Sequence, residues 1–146
     1  MNQRDKLLQV VDDDLQQDCG DYLALRDLMQ ALYTFLLERD SVEIDRLNRQ
    51  IGRHVASLGG RAERRGKVLA AFRLREDGDG MQRLLNGYPE ARRAALQQRW
   101  QQLGQLAAEC QQLNERNGKL LAMHHEILEQ LLAAHQQTHL YGPQAY

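Results

Sequence analysis

Counted in alternating steps of three and four from Leu96, the chain stops at Arg99, Leu103, Leu106, Cys110, Leu113, Asn117, Leu120, His124, Ile127, Leu131, Ala134, Thr138 and Tyr141, nearly all apolar or small. A helix turns once every ~3.6 residues, so a 3-4 spacing held this long writes one continuous stripe along a rod and implies a left-handed supercoil with neighbours. From Pro89 to His139 the rod is about 75 Å long at ~1.5 Å per residue. No compact globule of this size needs such an element. The pattern predicts an all-α fold, an elongated antiparallel three-helix bundle or coiled coil with a long C-terminal helix.

The same arithmetic finds an earlier rod over residues 3–39, with stops at Leu8, Val11, Leu15, Asp18, Tyr22, Leu25, Met29, Leu32 and Leu36. Asp18 is the one charged stop, and Cys19 beside it is placed to cover the gap. Gly20 weakens the helix, but the stripe keeps phase across it, which predicts a flexible point rather than a break. At Asp40 the pattern stops. An Asp followed three residues later by Glu43 has the form of an N-cap with a reciprocal carboxylate, so a second helix is expected over 41–73. Its stops are Ile44, Leu47, Ile51, Val55, Leu58, Ala62, Leu69 and Phe72, with Arg65 intruding. The short connection forces the two rods into an antiparallel hairpin.

Residues 74–88 are expected to be a loop and the least ordered stretch: Glu76-Asp77-Gly78-Asp79-Gly80 is loop chemistry, Met81 to Leu85 has the length of one amphipathic turn, and Asn86-Gly87 is a stop signal. Pro89 then suits the first position of the long helix, which runs to His139 before a mobile tail, 140–146, that contains Gly142-Pro143. The expected rods differ in length, so about 20 Å of the last should project at its C-terminal end. There the stripe widens to Leu120, Leu121, Ile127, Leu128, Leu131 and Leu132. A third helix that faces two partners needs a wide stripe; surplus apolar surface is also what a docking site looks like.

Composition removes several function classes. With 19 basic and 20 acidic residues the formal charge is -1, so there is no global field to draw the chain onto nucleic acid or anionic lipid. The basic run Arg61, Arg64, Arg65, Lys67, Arg73 and Arg75 is expected to be a solvated helix face. The N-terminal residues are charged, without the apolar run of a signal peptide, and no long uncharged segment suits a membrane span; two free thiols, Cys19 and Cys110, agree with a reducing, cytoplasmic compartment.

Candidate chemistry is sparse. His135 and His139 lie four apart on one face, and His125-Glu126 begins a zinc-protease-like helix, but Glu129 stands where the second His belongs and no third ligand has the right spacing. No metal or cofactor is expected. There is no nucleophile elbow or phosphate loop, and Asp12, Asp13 and Asp14 point to different helix faces, where they cannot converge on one bond. An enzyme is not expected. Asn114 and Asn117 share a face, and a polar residue at one seam position ordinarily fixes register.

Three segments carry a resemblance: Trp100-Gln101-Gln102-Leu103, then Leu113-Asn114-Glu115-Arg116-Asn117-Gly118-Lys119-Leu120-Leu121, and Leu140-Tyr141-Gly142. Together they resemble the C-terminal half of the FlgN family of flagellar export chaperones, over about a third of the chain; the first half agrees in general character as a helical hairpin. The resemblance implies a cytosolic chaperone that binds the disordered C-terminal segments of hook-filament junction (hook-associated) proteins, keeps them from premature assembly and delivers them to the type III export gate. It places substrate contacts on Asn114, Asn117, Leu120, Leu121, Ile127, Leu128, Leu131 and Leu132, and export-gate docking on Tyr141. The tail is shorter than in some relatives. From the residues alone, a coiled-coil adaptor that oligomerises through the last helix, or a helical regulator of an enzyme, stays open, as does the oligomeric state.

Overall fold

The computed structural model describes residues 2–141, with side chains as far as Ala134, and the described residues form four helices and no strand. They are α1 (Gln3–Glu38), α2 (Ser41–Ala71), α3 (Gly78–Asn86) and α4 (Glu90–Tyr141). The expected tail 140–146 begins inside α4, whose last two residues are Leu140 and Tyr141, and its remainder lies outside the described residues.

Side chains and two left-handed residues, Arg39 after α1 and Arg73 after α2, set the helix ends. Asn2 caps α1 by accepting from the Asp5 amide at 2.8 Å. At the other end Arg39 takes the left-handed conformation, φ 56°, so that its amide and that of Asp40 return to the carbonyls of Leu36 and Phe35. This satisfies orphan carbonyls at the cost of placing a side chain where glycine is preferred. Asp40 then caps α2 by accepting from the Glu43 amide at 3.2 Å. The expected reciprocal bond is not used: the Glu43 carboxylate turns to Arg46, 2.6 Å away. Gly20 leaves α1 unbroken.

α1 is the shared spine. Contacts of α1 with α4 and with the residues leading into it keep a nearly constant offset in sequence: Tyr88 Oη, just before α4, donates to the Leu8 carbonyl at 2.6 Å, Arg26 reaches Glu109 and Asn117 Nδ2 donates to the Met29 carbonyl at 2.9 Å. The two helices are therefore parallel, and α2 runs antiparallel between them in the chain. Among the described residues no Cα of α2 lies within 8 Å of one of α4, so each flanking helix packs on α1.

Three apolar layers lie along this spine. The first joins Leu8, Val11 and Leu15 of α1 to Val68, Leu69, Met81, Leu85, Tyr88, Leu96 and Leu103. Leu25, Met29, Leu58 and Cys110 make the second, and Leu32, Leu36, Leu47 and Leu120 the third. Each fully buried leucine is worth about 1.5–3 kcal/mol of transfer free energy, so the layers are strong enough to hold long helices together.

The stretch expected to be the least ordered is built into the first layer. Asp77, taken from the sequence as loop chemistry, accepts from the Gly80 amide at 2.9 Å and starts α3 as its cap. Met81, Leu84 and Leu85 are then buried along one side, with Tyr88 just beyond. The helix needs its second glycine: a Cβ on Gly80 would sit 1.8 Å from the Arg75 carbonyl oxygen. Nine residues is too short for a periodic signal to outweigh the Gly and Asp around it.

The basic run is a solvated face only in part: Arg64, Lys67, Arg73 and Arg75 are exposed as expected, but Arg61 is buried and Arg65 half-buried, and α1 offers them a row of carboxylates. Arg61 and Arg65 both reach Asp18, itself 1% exposed, Arg61 continues to Asp21, and Arg64 grips Asp14 through two bonds of 2.6 and 2.7 Å. Asp18 thus fills its seam position as the centre of a buried ion cluster, without needing Cys19 to cover it. On the opposite flank Asp12 pairs with Arg92 and Arg99 of α4. The divergence of Asp12 and Asp14, which rules out shared catalysis, lets α1 hold one neighbour with each.

Candidate functional site

α1 ends at Glu38, and the last α4 residue packed into the third layer is Leu120. The helix continues to Tyr141, an arm of about 30 Å at ~1.5 Å per residue. At the offset of the Asn117–Met29 bond, the end of α1 at Glu38 falls level with about residue 126, so the length beyond α1 is about 20 Å, as expected.

The boundary divides the expected substrate residues. Asn117 and Leu120 are core: Asn117 is 5% exposed and bonded to Met29, and Leu120 packs with Leu32, Leu36 and Leu47. Their side chains have no face left for a guest in the folded bundle, and this corrects the expectation for both. Asn114 is exposed on the packed part of α4, one turn before Asn117. Leu121, Leu128, Leu131 and Leu132 are 53–61% exposed and Ile127 is 38% exposed. Met123, at 50%, belongs with them and was passed over in the sequence, where the alternating count takes its four-residue step from Leu120 to His124 although steps of three and then four lead through Met123 to Ile127. Among described residues, the wide stripe is left uncovered by the chain's own helices.

The face is almost free of charge. After Lys119 the chain has no Lys or Arg, and Glu126 and Glu129 are its only acidic residues. Glu129 pairs with His125 across one turn at 3.0 Å, on the exposed polar side. The side chains of His135, His139 and Tyr141 lie outside the described residues, so the expected gate-docking position is fixed only as the last residue of α4. Among the described residues no group of three or more His, Cys, Asp or Glu could hold a metal, and no helix is long and apolar enough to cross a membrane.

A different concavity, of about 780 Å³, opens between α2 and α4 above Asp18 and Tyr22, with Trp100, Leu103 and Arg65 in its lining. The Arg65 guanidinium lies 5.3 Å from the centre of the Trp100 ring and closes the gap between the flanking helices. Asp18 has each carboxylate oxygen engaged by a guanidinium and is 1% exposed, so it is held in the ion cluster and not presented to the opening. The two thiols are pushed above the usual range, foremost by burial, so neither is an activated nucleophile.

A family model, the FlgN protein family, matches residues 1–146, the entire chain. The chain belongs to the FlgN family. FlgN proteins are flagellar export chaperones, a class that works by binding and not by catalysis. The match includes the N-terminal hairpin, where the sequence motifs were weakest. No curated protein and no solved structure matches this FlgN chain. For FlgN chaperones, which bind hook-associated proteins in general, an uncovered apolar arm rooted in a clamped bundle is the feature to account for.

Proposed function

We propose that this chain is a cytoplasmic export chaperone that holds the disordered C-terminal segments of the hook-filament junction proteins on the α4 arm and delivers them to the type III export gate. The observation that carries this reading is the exposed stripe Leu121, Ile127, Leu128, Leu131 and Leu132, with Met123, on a helix that extends past every other element of the fold. A segment that forms an amphipathic helix in the assembled filament hides its apolar side by laying it on such a face. Ordering the segment only on binding lowers net affinity, which suits a cargo that must be released. Asn114 is a further contact at the base of the arm. Tyr141, at its far end, is the position for the gate, where an aromatic anchor engages a pocket on the partner.

The test is capture of purified junction-protein C-terminal segments by Leu128→Asp and Leu131→Asp variants. Both should lose binding while the far-ultraviolet circular dichroism remains helical, since the substituted residues are outside the packed layers. Full retention of binding by both variants would place the cargo elsewhere. Tyr141→Ala should retain cargo but reduce secretion of the junction proteins.

A further inference from the structure

We infer that the α4 arm takes two helices of one partner chain side by side, a helical hairpin with basic flanks seated end-on against the α1–α2 tip; this rests on the chaperone reading and specifies its cargo. Within the bundle, the buried residues of α4 (Leu96, Leu103, Leu106, Cys110, Asn117 and Leu120) follow a single stripe. Beyond Leu120 there are two. Met123, Ile127 and Leu131 form one, spaced by four, and Leu121, Leu128 and Leu132 form the other, spaced by seven and four. At ~3.6 residues per turn their centres are about 120° apart around the axis, and together they take up roughly half the circumference. One packed helix covers an arc of roughly 100°, so a single guest helix leaves one stripe in water.

At its last packed turn Leu120 lies in one apolar layer with Leu32 and Leu36 of α1, a layer that Leu47 of α2 also joins although no α2 Cα comes within 8 Å of α4. The unpartnered face is the direct continuation of that interface. The tip on which a second hairpin would rest carries two exposed apolar side chains among charged ones: Leu37 and Val42, either side of the α1–α2 turn, are 55% and 73% exposed.

Charge chooses between occupants. Glu126 and Glu129 border the face, Glu129 beside His125, and no Lys or Arg follows Lys119, so Lys or Arg on the guest's flanks are favoured. A second copy of the arm would bring the same two carboxylates and only one helix.

The experiment is calorimetric titration of the full chain with the junction-protein C-terminal segment and, separately, with its two halves. Ile127→Asp tests the first stripe, Leu132→Asp the second and Leu37→Asp the tip. Each should weaken the whole segment by about tenfold or more, a loss typical of a buried apolar anchor. Each half should respond to one stripe only, and added salt should weaken both. Binding that responds to one stripe alone means a single guest helix, which overturns the hairpin while leaving the chaperone reading intact. Sedimentation of the complex with two copies of this chain sharing the second stripe would also overturn it. No binding of any segment to the parent chain overturns both readings.

Discussion

Arg61 donates through Nε to the carboxylate of Asp18 at 2.5 Å, and the pair sits at the centre of the α1–α2 interface with side chains 10% and 2% exposed. Ion pairs so deep offset most of their attraction with the cost of removing both charges from water, and their removal is costly mainly when only one partner goes. Here Gln17, Asp21 and Arg65 complete the cluster, and the Arg65 guanidinium links it to Trp100 on α4.

Asp18→Ala is accordingly expected to lose about 3–5 kcal/mol, because two guanidiniums keep their burial and lose their shared acceptor. Asp18→Leu combined with Arg61→Met should recover only part of that loss, because Arg65 still lacks its acceptor and Asp21 loses Arg61. Urea denaturation followed by circular dichroism measures both, and equal destabilisation of the single and double variants would mean that the cluster is strongly stabilising as a pair.

Asp21 gives the interface a pH dependence of known sign. Burial tends to raise its pKa, but hydrogen bonds from His54 and Arg61, with their charges, outweigh burial and bring it below the usual carboxylate value. Its contribution to stability is therefore complete above the ordinary carboxylate range and is lost as pH falls through the lowered folded-state value. Asp21→Asn should reduce stability at neutral pH and make the decline on acidification shallower than in the parent. The check is a series of denaturation midpoints from neutral pH down through the carboxylate range; parallel curves for the two proteins would contradict it.

Gly80→Ala should be disruptive for a local reason. The added methyl would overlap the Arg75 carbonyl, a backbone atom that has no rotamer to move to, so α3 must shift off the first apolar layer. An expected loss of about 1–3 kcal/mol, the usual range for overpacking, corresponds to a melting temperature lower by several degrees. Gly78→Ala, where an added Cβ meets nothing within 4 Å, is the matched control.

Asn117→Leu should instead stabilise. The Asn117 Oδ1 is buried without a partner, and an unsatisfied buried acceptor costs about 1–3 kcal/mol. The Met29 carbonyl loses a side-chain donor but keeps the amide donor of its own helix. A urea midpoint shifted upward with an unchanged slope is the expected result.

These sites show which physics a sequence displays openly. Long stripes are legible because each period repeats the same information, and α1 and α4 are written many times over. The Asp18 cluster is hidden because its partners are more than forty residues away in sequence, on a helix whose arginines resemble any solvated face until the register of the hairpin is known. α3 is hidden because its cap residues are the same Asp and Gly that make loops. At the arm, the stripe was visible but not its starting point: which leucines are core and which are bare depends on where α1 stops, and that separates Leu120 from Leu121.

The chain's two demands fall on different lengths of α4. Up to Leu120 each substitution is judged by the partners it meets across α1; past it, the exposed side chains from Leu121 to Leu132 join none of the three apolar layers. Residues on the outer length are thus free to drift toward a new guest without first passing a test of foldability, and a fixed handle can carry an adaptable grip.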